Sequence, residues 1–156
     1  VSVWSGNSAQ ISDWLDAGLV DIGLSHAADV KSNQSVFELA ADRLVLVSPD
    51  PQNPIAFDPN YIYIEAGTDF GRQHATAFAS AGIANISFNN PLWGLKHLLQ
   101  NGGAAYLPYR LVEQHLASNS LFILEGVPEF TRRVYFSRND EATSQWQWLD
   151  QAIGMI

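Results

Sequence analysis

A few short stretches of the chain carry side chains that could do chemistry. Ser5-Gly6-Asn7-Ser8 precedes an apolar stripe, Ile11, Trp14, Leu15 and Leu19, at helical spacing. A turn at a helix start offers free N–H groups and the positive end of the helix dipole, which favour a carboxylate or another anion. Capping by Ser8 is the plainer use of the same residues. Ser87-Phe88-Asn89-Asn90 ends an apolar run just before Pro91, where asparagine either reads a polar ligand or caps the next helix. Glu65-Ala66-Gly67-Thr68 stands before another helical run, with Thr68 as its N-cap or as a ligand contact. Tyr106 and Tyr109 offer hydroxyls, although a buried tyrosine tip usually has a structural partner. His26 follows an apolar run and reads either as a pocket residue or as an ordinary loop histidine.

These residues do not compose a catalytic centre. The chain has no Gly-x-Ser-x-Gly elbow, phosphate loop or GxGxxG fingerprint. The four histidines, His26, His74, His97 and His115, show no paired spacing with carboxylates that suggests a metal. The absence of cysteine removes thiolate ligands and disulfides and is compatible with a reducing compartment. Asp13 and Asp16 read as solvated, and Asp140-Glu141 as acids favoured at a helix start. Binding is therefore expected rather than catalysis, with no metal and no cofactor. The net charge of −8, with the eight Lys and Arg scattered, argues against a direct grip on a phosphate backbone. No apolar run approaches the ~18 residues of a membrane span. Val1-Ser2-Val3-Trp4 has no basic region or long apolar core, so it is not a signal peptide. Lacking an initiator Met, the chain reads as a processed or excised piece.

The element that must position these residues is Gly102-Gly103-Ala104-Ala105-Tyr106-Leu107-Pro108. Leu92, Leu95, Leu98 and Leu99 lead into it at helical spacing, and Asn101-Gly102-Gly103 supplies the positive φ of a helix end. Ala104 to Leu107 is too short for a helix and reads as a buried strand, and Pro108 suits the first turn of a helix carrying Leu111, Val112, His115 and Leu116. Earlier, Val1 to Trp4 and Val20 to Leu24 read as strands flanking the first helix, a βαβ unit of a parallel sheet. Phe37 to Ala41 and Arg43 to Ser48 read as extended, and residues 48–54, with three prolines, as a connector. Tyr61 to Ile64 is a strand, Phe70 to Ala81 a helix before Gly82, and Ile83 to Phe88 a strand. Leu121 to Leu124 and Arg133 to Ser137 are further strands. Trp146, Leu149 and Ile153 mark a last helix on which Trp146 and Trp148 cannot both face the core. Two groups of βα units imply two lobes, and small-molecule sites favour such interfaces.

Several segments in order resemble the effector-binding domain of LysR-type transcriptional regulators. Asp13 to Leu24 is similar to that family's L-x-x-G-x-L-D segment, and Arg43-Leu44-Val45-Leu46-Val47-Ser48-Pro49 to its strand before the second lobe. Gly102 to Pro108 with Leu111-Val112 resembles its glycine-rich L-P signature, with Ala104 where a second glycine is usual. The resemblance implies an α/β, two-lobe periplasmic-binding-protein-like fold of type 2. It is N-terminally truncated, since Val1 to Trp4 matches the family's second strand. Lobe I would comprise 1–63 and 133–156, and lobe II 64–132. It further implies a cytoplasmic sensor that is not an enzyme, holding a small anionic effector between the lobes. Ser5, Gly6, Asn7, Ser8, His26, Thr68, Ser87, Phe88, Asn89 and Tyr106 are the candidate ligand-binding residues. The expected assembly is a homodimer that meets DNA only through a region absent from this chain and has no membrane partner. The alternative is a stand-alone small-solute-binding module without DNA-binding function.

Overall fold

The computed structural model describes residues 1–29, 31–54, 59–141, 146, 148 and 149. Contacts divide the chain into two compact units, Val1–Ala41 with Arg133–Ile156, and Asp42–Arg132. The first passage between them falls inside a single long strand. The segments expected to be interrupted around Asp42 form one strand, β2 (Gln34–Ser48). Its charges at that point are matched: Arg132 donates to Asp42 at 3.2 Å, with both side chains largely buried, and Arg43 forks onto Glu129 at 2.8 and 2.9 Å. The chain returns through β7 (Phe130–Asn139).

In the first unit, α1 (Ser8–Asp16) packs on β1 (Ile22–Ser25). The approach is close: a Cβ on Gly23 would lie 2.6 Å from Ile11 Cγ2. β1 pairs antiparallel with β7, Gly23 opposite Ser137, and β7 neighbours β2. This corrects two expectations. Residues 1–7 form no strand, and β1 is not a parallel, doubly covered strand, since Leu24 is 57% exposed. A strand needs a backbone neighbour to receive its N–H and C=O groups, and none pairs with Val1 to Trp4 among the described residues. Trp4 instead sets its ring edge-on to Trp14 at 5.4 Å. Of the last expected helix, Ile153 lies outside the described residues, and Trp148 is exposed.

The second unit is built on β5 (Ala104–Pro108), every residue of which is buried. It pairs antiparallel with β2, Leu46 opposite Tyr106, and parallel with β3 (Tyr61–Ile64). β3 pairs parallel with β4 (Ile86–Phe88), and β6 (Phe122–Ile123) lies on β2. Side chains alternate across a strand, and this divides the core in two. Val45, Val47, Ile62, Ile64, Ala105 and Leu107 face α3 (Pro91–Asn101) and α4 (Tyr109–Ala117), meeting Leu95, Leu98 and Val112. Leu44, Leu46, Tyr61 and Tyr106 face the other way, onto Phe70 of α2 (Thr68–Ala77) and onto Phe130.

His74 of α2 is buried on this second face among aromatic rings, with the Tyr61 hydroxyl 2.8 Å from its Nε2. Burial disfavours the imidazolium and lowers the His74 pKa below 6.5. The unfolded chain therefore takes up this proton first as pH falls. The contribution of the neutral ring to stability is whole above the unfolded pKa and is lost progressively down to the folded one. Urea midpoints should drop as pH falls below about 6.5, and the drop should be smaller in His74→Phe.

The entry to β5 is sterically exacting. Gly102 and Gly103 have φ of 75° and 97°, and a Cβ on Gly103 would lie 2.2 Å from the backbone oxygen of Asn60. Gly103→Ala should cost about 2 kcal/mol or more in denaturant unfolding. Gly82→Ala, where a Cβ meets nothing within 4 Å, should stay within about 0.5 kcal/mol of the parent.

Candidate functional site

The second unit has a hollow of about 750 Å³ at the carboxyl ends of β3 and β4. These strands are adjacent and parallel, with Tyr63 opposite Ser87 and Ile64 opposite Phe88. The helix after β3 packs on one face of the sheet and the helix after β4 on the other. Where connections part in this way, the strand ends leave a crevice, the usual place for a ligand in α/β folds.

The walls come from four segments. Tyr63 and Glu65 lie at the end of β3; Gly67, Thr68 and Gly71 bring the start of α2. Ser87, Phe88 and Asn89 lie at the end of β4, and Trp93 comes from the first turn of α3. Glu65 N–H donates to the Phe88 carbonyl at 2.9 Å, tying the two strand ends together. Gly71 leaves room for the Tyr63 ring, since a Cβ there would lie 3.3 Å from the phenolic oxygen. Partial burial, then the nearby Glu65 charge, raises the Tyr63 pKa, so its hydroxyl stays protonated at neutral pH.

The helix starts decide which polar side chains remain available. Thr68 does not cap α2: the N-cap is Gly67, with φ of 93°, and no side chain caps the helix. Asn90 rather than Asn89 caps α3, accepting from Leu92 N–H at 2.9 Å. Thr68, Ser87 and Asn89 are therefore free of capping duty and open onto the hollow.

The remaining candidates lie elsewhere. Tyr106 is 1% exposed in the core, and its hydroxyl donates to the Pro128 carbonyl at 2.7 Å; it does not line the hollow. Burial, then Glu129, raises its pKa. Ser5, Gly6, Asn7, Ser8 and His26 belong to the first unit. Asn7 rather than Ser8 caps α1, in a reciprocal box with Gln10 at 2.9 and 3.0 Å. Ser8 Oγ accepts from His26 N–H at 3.3 Å, and His26 Nδ1 lies 3.0 Å from the Arg133 carbonyl. A Cβ on Gly6 would come within 2.7 Å of the Trp14 ring. Ser8 and His26 are thus brought together, while the Asn7 side chain is occupied by the helix.

The candidate ligand-binding residues read from the sequence did not include Tyr63, Glu65, Gly67, Gly71 and Trp93. The available signal was position: Tyr63 is the residue of β3 that points to the α2 face nearest the strand's end. Among the described residues no group of three or more His, Asp or Glu could hold a metal ion. No described helix is long and apolar enough to cross a membrane.

The LysR substrate binding domain family matches residues 1–149, and the chain belongs to that family. It is a family of binding domains of transcription regulators rather than of enzymes. The fold is shared with the regulatory domain of HypT from Salmonella typhimurium in its apo form: the TM-score is 0.82 at 15% identity, covering 99% of this chain and 83% of that one. Full-length HypT, a hypochlorite-specific LysR-type transcriptional regulator, is similar with a TM-score of 0.79 at 16% identity, covering 99% of this chain and 59% of that one. Full-length LysG from Corynebacterium glutamicum, with bound effector Arg, gives 0.73 at 13% identity, covering 98% and 56%. No curated protein matches the chain.

The caps separate structural from available side chains in a testable way. Asn7→Ala should cost about 1 kcal/mol of unfolding free energy. Thr68→Val should change it by no more than about 0.5 kcal/mol, because the hydroxyl caps nothing.

Proposed function

We propose that this chain is the effector-sensing part of a cytoplasmic LysR-type transcription regulator, and that a small molecule binds in the hollow of the second unit. The observation that carries the reading is the convergence there of Thr68, Ser87 and Asn89, free of capping, with the aromatic rings of Tyr63, Phe88 and Trp93. A few polar groups set in an apolar wall are what a small-molecule site requires. Ser8 and His26 form a separate polar turn in the first unit, proposed by itself as a ligand contact. Sensing requires that the ligand prefer one of two states of the regulator. DNA would be met through a region outside this chain, in a homo-oligomer.

The test is a thermal-shift screen of this chain against a library of small metabolites. A ligand at about a hundred times its Kd should stabilise the chain by about 2.7 kcal/mol. Thr68→Val and Asn89→Ala should abolish most of that shift while leaving the unliganded midpoint in place. Hits unaffected by either substitution, or an absence of hits, would contradict the reading.

A further inference from the structure

The chemistry of the hollow also bears on the charge of its ligand. Among the described residues its lining contains one acidic side chain, Glu65, and no Lys, Arg or His. Three aromatic residues, Tyr63, Phe88 and Trp93, also line the hollow. Aromatic faces carry negative quadrupolar charge and attract ammonium and guanidinium groups, Trp most strongly. Tyr63 adds no charge of its own, since its hydroxyl remains protonated and neutral.

The feature that could favour an anion is the start of α2, where Gly67 and Thr68 reach the hollow. Acidic side chains stand on both sides of that start: Glu65 precedes it, and Asp69 occupies the first turn. A carboxylate near the first turn satisfies the helix dipole, and an incoming anion would also meet the Glu65 charge. Arg72, the nearest cation on α2, is held by Asp69 at 2.9 Å. The chain's net charge of −8 adds to the same bias.

Resting on the assignment of the hollow as the ligand site, we propose that the effector carries a cationic amine or guanidinium. That group sits beside Glu65 against the Tyr63, Phe88 and Trp93 rings, and polar parts of the ligand meet Thr68, Ser87 and Asn89. The sign is opposite to the one suggested by the helix start at Ser5 to Ser8.

Three probes of similar ring size separate charge from shape: 2-phenylethylamine, 3-phenylpropionate and 2-phenylethanol, titrated calorimetrically into this chain at neutral pH and low salt. The ammonium should bind about tenfold more tightly than either of the others. Glu65→Gln should remove most of that preference, Trp93→Leu should weaken the ammonium several-fold, and Glu113→Gln, at an exposed position of α4, should do neither. Tighter binding of the carboxylate, or an ammonium affinity indifferent to Glu65, would overturn the inference. If none of the probes binds while the metabolite screen gives ligands sensitive to Thr68, the charge inference fails and the site stands. If neither experiment finds binding, both fail.

Discussion

The second unit depends on one strand that has no exposed residue. β5 is buried from Ala104 to Pro108 and is paired on both edges, antiparallel to β2 and parallel to β3. A strand covered on both faces has to be apolar on both. Ala105 and Leu107 supply one core, and Ala104 and Tyr106 the other. The one polar atom so introduced, the Tyr106 hydroxyl, is satisfied by the Pro128 carbonyl, as a buried donor must be. The price of this arrangement falls on the approach to the strand, where only glycine can pass Asn60 at Gly103.

The hollow follows from the same construction. β4 runs outward beside β3, and the chain must then cross back over β3 to reach β5. The crossing helix α3 takes one face and α2 the other. The ends of β3 and β4 are left with backbone and side chains that neither helix covers. Burial of the strands and opening of the crevice are thus two results of one chain path. Gly94 shows how closely α3 is seated: a Cβ there would fall 2.2 Å from Ile64 Cδ1. The rigid sheet beneath the crevice holds Tyr63 and Ser87 in register, which is what a binding site needs from its scaffold.

Much of this was legible because the signals were local. The leucine spacing before Asn101, the glycine pair and the short apolar run fixed α3, the turn and β5. Longer-range matters were not legible. Asp42 reads as a break in an extended run, because its partner Arg132 comes 90 residues later. Val1 and Val3 looked like strand residues, yet pairing is a property of neighbours, and these side chains are almost fully exposed. The caps fell one residue before their expected places, on Asn7 and Gly67, and that shift changed which side chains were available. Thr68 gained standing as a ligand contact through losing its capping role, while Tyr106 was drawn into the core by the alternation of β5. Tyr63 and Trp93 read as apolar members of a strand and a helix, and only the packing of the helices on opposite faces brings them to one wall.

The most direct test of the account is a crystal structure of this chain soaked with a ligand that stabilises it. Density should fill the hollow at the ends of β3 and β4, within hydrogen-bond distance of Thr68 and Asn89 and in contact with the Trp93 ring. Density confined to another surface, with the hollow holding only solvent, would contradict it.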